Sequence, residues 1–170
     1  MIIFRPKFSL SGFLFPVGMI GFMLLMTRVI SPTFSQLPLH SLILFIAITG
    51  SICGVFLFTL LILPTIKYEL KNDALYLKCG PFVSKISYSE IKRIIKTDLI
   101  FHPIASCRWP GFALGDCYYA DRGNVRMYST RMCNDIILIE TAARLYGITP
   151  KDEELFITEL KRKIEDATND

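Results

Sequence analysis

The sequence predicts a membrane-anchored α+β protein, in which a hairpin of two transmembrane helices precedes an antiparallel β-domain capped by a C-terminal α-helix. Two observations lead to this fold class. The first 66 of the 170 residues hold only three charges, whereas all fifteen acidic residues lie from Glu69 onward. From Lys67 to the end, short alternating runs replace the continuous apolar ones, and sixteen bases nearly balance the fifteen acids. This composition excludes a wholly soluble protein and a nucleic-acid binder, which would need a strongly basic domain.

Two uncharged runs are long enough to cross a membrane. Residues 8–27 supply twenty such positions, and residues 41–63 supply twenty-three before Pro64. Twenty helical residues span about 30 Å, the thickness of a bilayer's hydrocarbon core. A secretory signal peptide is the alternative for the first run, but the run exceeds the usual ~7–15 apolar residues and lacks a small-residue cleavage site. We therefore expect a transmembrane hairpin over residues 1–66 and a second domain over residues 67–170.

The basic residues beside these runs predict the orientation of the hairpin. Arg5 and Lys7 precede the first run, and residues 28–40 between the two runs carry one arginine. Four lysines follow the second run: Lys67, Lys71, Lys78 and Lys85. Since lysine and arginine are enriched in cytoplasmic flanks, we expect both termini and the β-domain to be cytoplasmic. The expected location is therefore a cytoplasmic membrane.

Small residues recur at packing intervals in both runs. Gly50 and Gly54 form a GxxxG pair, and Gly18 and Gly21 lie close to one face of the first helix, whereas Gly12 falls off that face. Helices in lipid associate where their backbones can approach closely. Packing within the hairpin is the favoured interpretation, and a homo-oligomer or a contact with another membrane protein is the alternative. Neither run contains a charge, which argues against a pump or channel.

The second domain reads as short strands separated by turns. Residues 71–73 and 121–124 have the composition of tight hairpin turns. The candidate strands are residues 68–71, 75–79, 82–87, 91–97, 116–120, 125–130, 135–140 and 144–148. Many short strands with regular turns predict an antiparallel barrel or sandwich.

A helix is predicted after the last strand. Thr149 is the expected N-cap, Pro150 the first helical residue, and Asp152 the acid that completes a capping box. The apolar positions that follow fall near one stripe: Leu155, Phe156, Leu160 and Ile164. We expect this stripe to close an open end of the barrel.

Several motifs between residue 68 and about residue 160 carry a family resemblance. They are Tyr68-Glu69-Leu70, Cys79-Gly80-Pro81-Phe82, Ile86-Ser87-Tyr88-Ser89-Glu90-Ile91, Arg108-x-x-Gly111, residues 125–130, residues 137–141, and residues 148–152 leading to Phe156. With these motifs the segment resembles the bacterial pleckstrin-homology-like (PH-like) domain family, which often follows transmembrane helices. The resemblance implies a seven-stranded, strongly bent barrel closed by a helix, with no enzyme activity. It also makes the bacterial cytoplasmic (inner) membrane the expected location.

Catalytic and metal sites are not expected. The five cysteines (Cys53, Cys79, Cys107, Cys117 and Cys133) form no C-x-x-C pair, so buried reduced thiols are favoured over a zinc site that would include His102. Under an inverted topology, Cys107 and Cys117 could instead form a disulfide. Cys107 and His102 lack an orienting partner for nucleophilic catalysis, and no phosphate loop or hydrolase motif is present. We therefore predict a non-enzyme without a cofactor or metal.

The candidate interaction surface combines the single tryptophan with basic residues. Trp109, beside Arg108, either reaches lipid headgroups or a peptide, or packs over the barrel end. The basic candidates are Lys67, Lys71, Lys85, Lys92 and Arg93. They predict nonspecific attraction to anionic lipid, worth about 1 kcal/mol for each base near the surface.

These observations predict a membrane-tethered interaction module that presents a small β-barrel to a protein partner. The alternative is a sensor of lipid headgroups or a regulator of an associated membrane protein. Membrane lipids and a protein partner are therefore the expected contacts, with a homo-oligomer possible and nucleic acid excluded.

Overall fold

Two long helices open the chain in the computed structural model, which describes residues 1–103 and 108–169. Helix α1 spans Leu10–Ile30, and helix α2 spans Leu39–Ile62. A 3₁₀ helix at Ser31–Gln36 joins them, and the Ser9 hydroxyl caps α1 by accepting a hydrogen bond from the Gly12 amide. Both helices are long and apolar enough to cross a membrane. Only 6% and 17% of their most apolar stretches are buried, whereas the core helix of a soluble protein would be mostly buried.

The first β-sheet contains a strand that precedes both helices. Its strands are β1 (Ile2–Phe4), β2 (Lys67–Leu70), β3 (Ala74–Cys79) and β4 (Phe82–Ser87), in the order β1-β2-β3-β4. All three pairings are antiparallel, and β1 lies against β2 with Ile3 opposite Glu69. The sequence pattern predicts that residues 2–4 belong to the membrane hairpin, because three apolar residues beside a long apolar run carry no strand signal of their own.

The second sheet has six strands. They are β5 (Ile91–Thr97), β6 (Arg108–Trp109), β7 (Phe112–Tyr119), β8 (Gly123–Ser129), β9 (Ile136–Thr141) and β10 (Leu145–Ile148), in the order β5-β9-β10-β8-β7-β6. Strand β10 pairs in parallel with β8, so the expectation of a wholly antiparallel domain is wrong at this position. All eight predicted strands are present, those at residues 82–87 and 91–97 with the predicted ends and the other six with shifted ends, whereas β1 and β6 were not predicted.

The two sheets face each other without closing into one continuous barrel in the described part of the chain. Helix α3 (Glu153–Asn169) packs against their core. Phe156 and Leu160 are fully buried, and the Phe156 ring contacts the rings of Phe4 and Tyr68 edge-on at 5.2 and 6.2 Å between centroids. Leu155, which the sequence placed on the same stripe, is 55% exposed. The helix therefore covers the core as predicted, but through a narrower apolar face.

Helix α3 begins at Glu153, later than the predicted start at Pro150. Thr149 does not cap the helix: it is fully buried, and its hydroxyl accepts a hydrogen bond from the Thr130 amide at 3.1 Å. Pro150 forms a bridge to Pro6, ahead of α1. Because tertiary partners hold both residues in extended chain, the helix can start only after them.

Candidate interaction surfaces

The first turn of α1 lies directly on the turn between β6 and β7. A Cβ atom on Gly12 would stand 2.4 Å from the Gly111 carbonyl oxygen, closer than any real contact. Gly111 has φ +82°, and a Cβ there would stand 2.1 Å from the Gly12 amide nitrogen. Two glycines therefore permit a backbone-to-backbone contact between helix and domain. Nothing in the sequence singled out Gly12, which falls off the face that Gly18 and Gly21 share, but the Pro110-Gly111 turn was a signal of a special backbone position.

Trp109 packs between the β-domain and α2. Its ring stacks on Phe112 with centroids 4.8 Å apart and meets Phe56 of α2 at 5.8 Å, with the ring planes inclined by 66°. The side chain is half-buried. The ring therefore joins the domain to the helix. Of the two expectations for Trp109, packing is the one observed, but the ring packs against helix α2 and not over the end of the barrel.

Arg108 contacts neighbouring segments of its own domain. Its guanidinium donates hydrogen bonds to the Tyr118 carbonyl at 2.8 Å and to the His102 carbonyl. It also lies over the Phe101 and Tyr119 rings, 4.5 and 4.9 Å from their centroids. These contacts leave Arg108 half-buried and engaged with its own domain.

Two of the candidate lysines are paired with acids on the outer face of the first sheet. Glu69, 2% exposed, lies 3.1 Å from the Lys67 ammonium and 2.8 Å from that of Lys78. The hydrogen bond from Lys78 keeps the pKa of Glu69 below its usual value, with Lys67 contributing in the same direction. Lys85 lies 2.9 Å from the Asp73 carboxylate. These pairs reduce the positive charge that the face offers to an external anion.

Tyr76 contacts further charged residues on that face. Its hydroxyl donates a hydrogen bond to Asp73 at 2.9 Å, and the Lys71 ammonium lies 4.4 Å from the ring centroid. Such a cation–π contact is worth about 0.5–1 kcal/mol at an exposed site. Lys71, like Lys67 and Lys85, is therefore engaged within the domain.

Lys92 and Arg93 differ from the other basic candidates. Both are exposed on β5, and neither has an ion pair among the described residues. Strand β5 ends its sheet, pairs with β9 on one side, and has an irregular register between Ile91 and Arg93. An open sheet edge is a template for a further strand. This edge therefore combines unpaired backbone groups with two unneutralised cations.

A network of charges ties the segment before α1 to the β-domain and α3. Lys7 lies 2.5 Å from both Asp135 and Glu153, and Lys96 lies 2.7 and 2.5 Å from the same two carboxylates. Arg131 adds a third cation, 2.6 Å from Asp135. Hydrogen bonds from Lys7 and Lys96 lower the pKa of Asp135 to about 2. Sequence reasoning missed this network because its members are scattered from residue 7 to residue 153.

An apolar cavity of about 510 Å³ lies between α2 and the β-domain. Its lining residues are Val55, Phe58, Thr59, Ile62, Pro81, Phe82, Val83, Leu114, Gly115, Arg126 and Tyr128. Arg126 holds Asp116 through two hydrogen bonds of 3.0 and 3.1 Å, and the Tyr128 hydroxyl lies 2.9 Å from that of Ser84. The sequence contained no local signal for this cavity, since four separate segments form it, from α2, the start of β4, β7 and β8.

The glycine pairs do not pack inside the hairpin. A Cβ atom on Gly18, Gly21, Gly50 or Gly54 would meet no heavy atom within 4 Å. The favoured interpretation of these glycines is therefore wrong, because other residues, including Phe15 and Phe56, make the contacts between the helices. Their use in a contact with another chain stays a prediction.

The cysteines are dispersed through the structure. Cys79 and Cys117 are buried, Cys53 and Cys133 are half-buried, and none of these four forms a disulfide. The predictions that involve Cys107 lie outside the described residues. His102 packs its ring edge-on against Tyr118 at 5.1 Å. Residues 1–103 and 108–169 contain no group of three or more His, Cys, Asp or Glu side chains that could hold a metal ion.

The second part of the chain is similar to a known family of proteins. A family model described as "Bacterial PH domain" matches residues 66–164. Neither the curated proteins nor the solved structures gave a match. The matched segment begins just after α2 and ends within α3, so it contains β2 to β10.

Proposed function

Because the matched segment covers more than half of the chain, the protein belongs to the bacterial PH domain family, and from this premise we propose that it is a membrane-tethered interaction module. In this proposal the two N-terminal helices cross the bacterial cytoplasmic membrane, and both termini and the β-domain are cytoplasmic. The module presents its β-domain to a protein partner and catalyses no reaction; its family is typically non-catalytic. Residues 1–66 contain the anchor, and residues 67–170 form the module. Residues 2–7 precede the first helix of the anchor but pack against the module.

The close junction between helices and domain supports a fixed placement at the membrane surface. Only a 3₁₀ turn, Leu63–Thr65, and Ile66 separate α2 from β2, and Gly12 contacts Gly111 at the start of α1. The Trp109 ring adds a contact to α2. A domain held at three points has little freedom to leave the bilayer, so its partner must come to the membrane.

The β5 edge is the observation that carries the proposal. A partner segment in extended conformation can add to an open edge through main-chain hydrogen bonds, and its side chains then supply specificity. Lys92 and Arg93 favour an acidic partner segment, since no acid in the described chain neutralises them. Recognition of lipid headgroups by the first sheet has less support, because Glu69 and Asp73 engage Lys67 and Lys85.

Site-specific photocrosslinking in living cells tests this proposal. A photoreactive residue at position 93 should give a discrete crosslinked product, and Lys92→Glu, with the probe still at position 93, should abolish it. Lys161, exposed on α3, provides the matched control: a probe there should give no such product, and Lys161→Glu should leave the product of position 93 unchanged. Equal crosslinking from positions 93 and 161, or persistence after charge reversal, would contradict the proposal.

A further inference from the structure

The cavity beside α2 has one wall that belongs to an apolar helix and one that belongs to the β-domain. Val55, Phe58, Thr59 and Ile62 form the helix wall. Phe82 and Val83, 46% and 52% exposed at the start of β4, extend the apolar surface on the domain side. A volume of about 510 Å³ lies within the range of about 300–1,000 Å³ that ligand pockets occupy.

Water is a poor occupant of this cavity. The volume would take on the order of ten waters or more, and each buried water needs two to four polar partners. The polar side chains of the lining are Thr59, Arg126 and Tyr128, and the Thr59 hydroxyl already donates to the Val55 carbonyl at 2.9 Å. An apolar molecule would therefore occupy the largely apolar cavity more favourably than water would.

The position of the helix wall identifies the apolar occupant. Val55 to Ile62 is the last part of the apolar run of α2, so in the proposed placement the medium beside it is the hydrocarbon of the cytoplasmic leaflet. An acyl chain can enter such a cavity sideways from the bilayer without crossing water. A soluble metabolite would have no comparable path.

Arg126 gives the cavity a polar end. Asp116 accepts two of the five N–H groups of its guanidinium, and Arg126 makes no other hydrogen bond to the described residues. Guanidinium groups match phosphate oxygens in geometry and charge. Arg144 also lies 3.9 Å from the Asp116 carboxylate, so two guanidinium groups share one acid and the cluster keeps a net positive charge. A chain in the cavity with its phosphate beside Arg126 would place hydrocarbon against Phe58 and Phe82 and the phosphate against this positive charge.

From these observations we propose that the cavity between α2 and the β-domain binds a membrane phospholipid, with an acyl chain between Phe58, Phe82 and Leu114 and the phosphate at Arg126. This inference rests on the membrane placement in the proposed function, but not on the β5 edge or its partner. The bound lipid would form part of the contact between the helix and the domain.

Photolabelling of the full-length protein in nanodiscs tests the inference. The probe is phosphatidylglycerol with a diazirine in one acyl chain, and peptide mass spectrometry locates the labelled residues. We expect labels on Leu114 and Phe82 in the domain, in addition to the lipid-facing residues of both helices. The substitution Val83→Trp fills the cavity mouth and should lower labelling of Leu114 about tenfold, which corresponds to the loss of about two buried methylene groups.

Val17→Trp on α1 is the matched control, because Val17 is as exposed as Val83 and lies outside the cavity lining. It should leave the Leu114 label unchanged. Arg126→Gln should reduce labelling of Leu114 by the phospholipid but not by diacylglycerol with the same diazirine chain. An equal reduction for both lipids would overturn the assignment of the phosphate to Arg126.

Labels confined to the outer faces of α1 and α2, with none on Leu114 or Phe82, would overturn the lipid site while leaving the membrane anchor intact. If Leu14 and Val17 on the outside of α1 also stay unlabelled, the anchor itself is contradicted, and the lipid site with it.

Discussion

At the scale of single residues, Gly12 and Gly111 determine how closely α1 approaches the β-domain. Their backbones touch, so any side chain at either position must displace one element from the other. Trp109 extends the same junction with a ring that reaches Phe56 on α2. The placement of the domain relative to the helices therefore depends on a few positions at the β6–β7 turn.

The substitution Gly12→Ala should destabilise the protein by about 1–3 kcal/mol, the usual cost of forcing extra atoms into a packed site. The reason is the added Cβ atom, which would stand 2.4 Å from a backbone carbonyl that cannot rotate away. A lower Tm of the full chain in detergent would report the loss. Gly18→Ala in the same helix is the control, since its Cβ would meet nothing within 4 Å. Equal Tm values for the two variants would contradict the docking contact.

The ion network at Asp135 predicts a specific dependence on pH. Its pKa falls from an ordinary value of 3.8 to about 2, chiefly through the hydrogen bonds from Lys7 and Lys96. Between these values the unfolded chain binds a proton that the folded chain does not. The stabilisation is therefore complete above about pH 4 and is lost as the pH falls towards 2.

Asp135→Asn should accordingly lower the stability of the full chain in detergent by about 1 kcal/mol at pH 7, after allowance for solvent screening of partly exposed pairs. Asparagine suits the positive φ of 57° at this position, so the change removes the charge without added backbone strain. The gap in Tm between the variant and the parent should shrink as the pH is lowered from 5 to about 2. A gap that is constant with pH would contradict the predicted contribution of the ionised Asp135 carboxylate.

At the scale of elements, α3 shows how tertiary contacts set the ends and the buried face of a helix. The first hydrogen bond of α3 runs from the Phe156 amide to the Asp152 carbonyl. The helix does not start earlier, because Thr149 accepts a hydrogen bond from Thr130, just after β8, and Pro150 forms a bridge to Pro6, ahead of α1. The strands were easier to predict, since alternation of apolar and polar residues reports a half-buried sheet directly. Strand β6 has only two residues, too few to show any period.

Phe156→Ala should cost about 3–5 kcal/mol in stability, as expected for removal of a buried aromatic ring. The ring is fully buried against Phe4 and Tyr68, so its loss leaves a cavity where β1, β2 and α3 meet. Leu155→Ala, one residue earlier on the exposed side, should change stability by less than about 0.5 kcal/mol. Thermal unfolding of the two variants in detergent compares them directly, and similar losses would contradict the assigned buried face.

At the scale of the whole molecule, the helices and the β-domain share one chain path. The path starts in the first sheet at β1, passes through both helices, and returns to the same sheet at β2, which pairs with β1. The anchor is therefore inserted between two neighbouring strands of the domain.

The proposed topology predicts which cysteines an impermeant maleimide can reach in intact cells. Thr33→Cys, in the exposed connection between the helices, should be labelled above the level of the parent chain. Glu165→Cys, exposed on α3, should be labelled only after the cells are lysed. The reverse pattern would place the β-domain outside the cytoplasmic membrane and would contradict the proposed orientation.

The sequence by itself determined the two apolar helices, eight of the strands, the closing helix and the family, because each depends on local periodicity or on motifs within one segment. Only the tertiary structure decided the pairing of residues 2–4 with the first sheet, the parallel pairing of β10 with β8, the Gly12–Gly111 contact and the cavity beside α2. These features join residues far apart in the chain, and the free energy of such contacts depends on shape and distance, which no local pattern records.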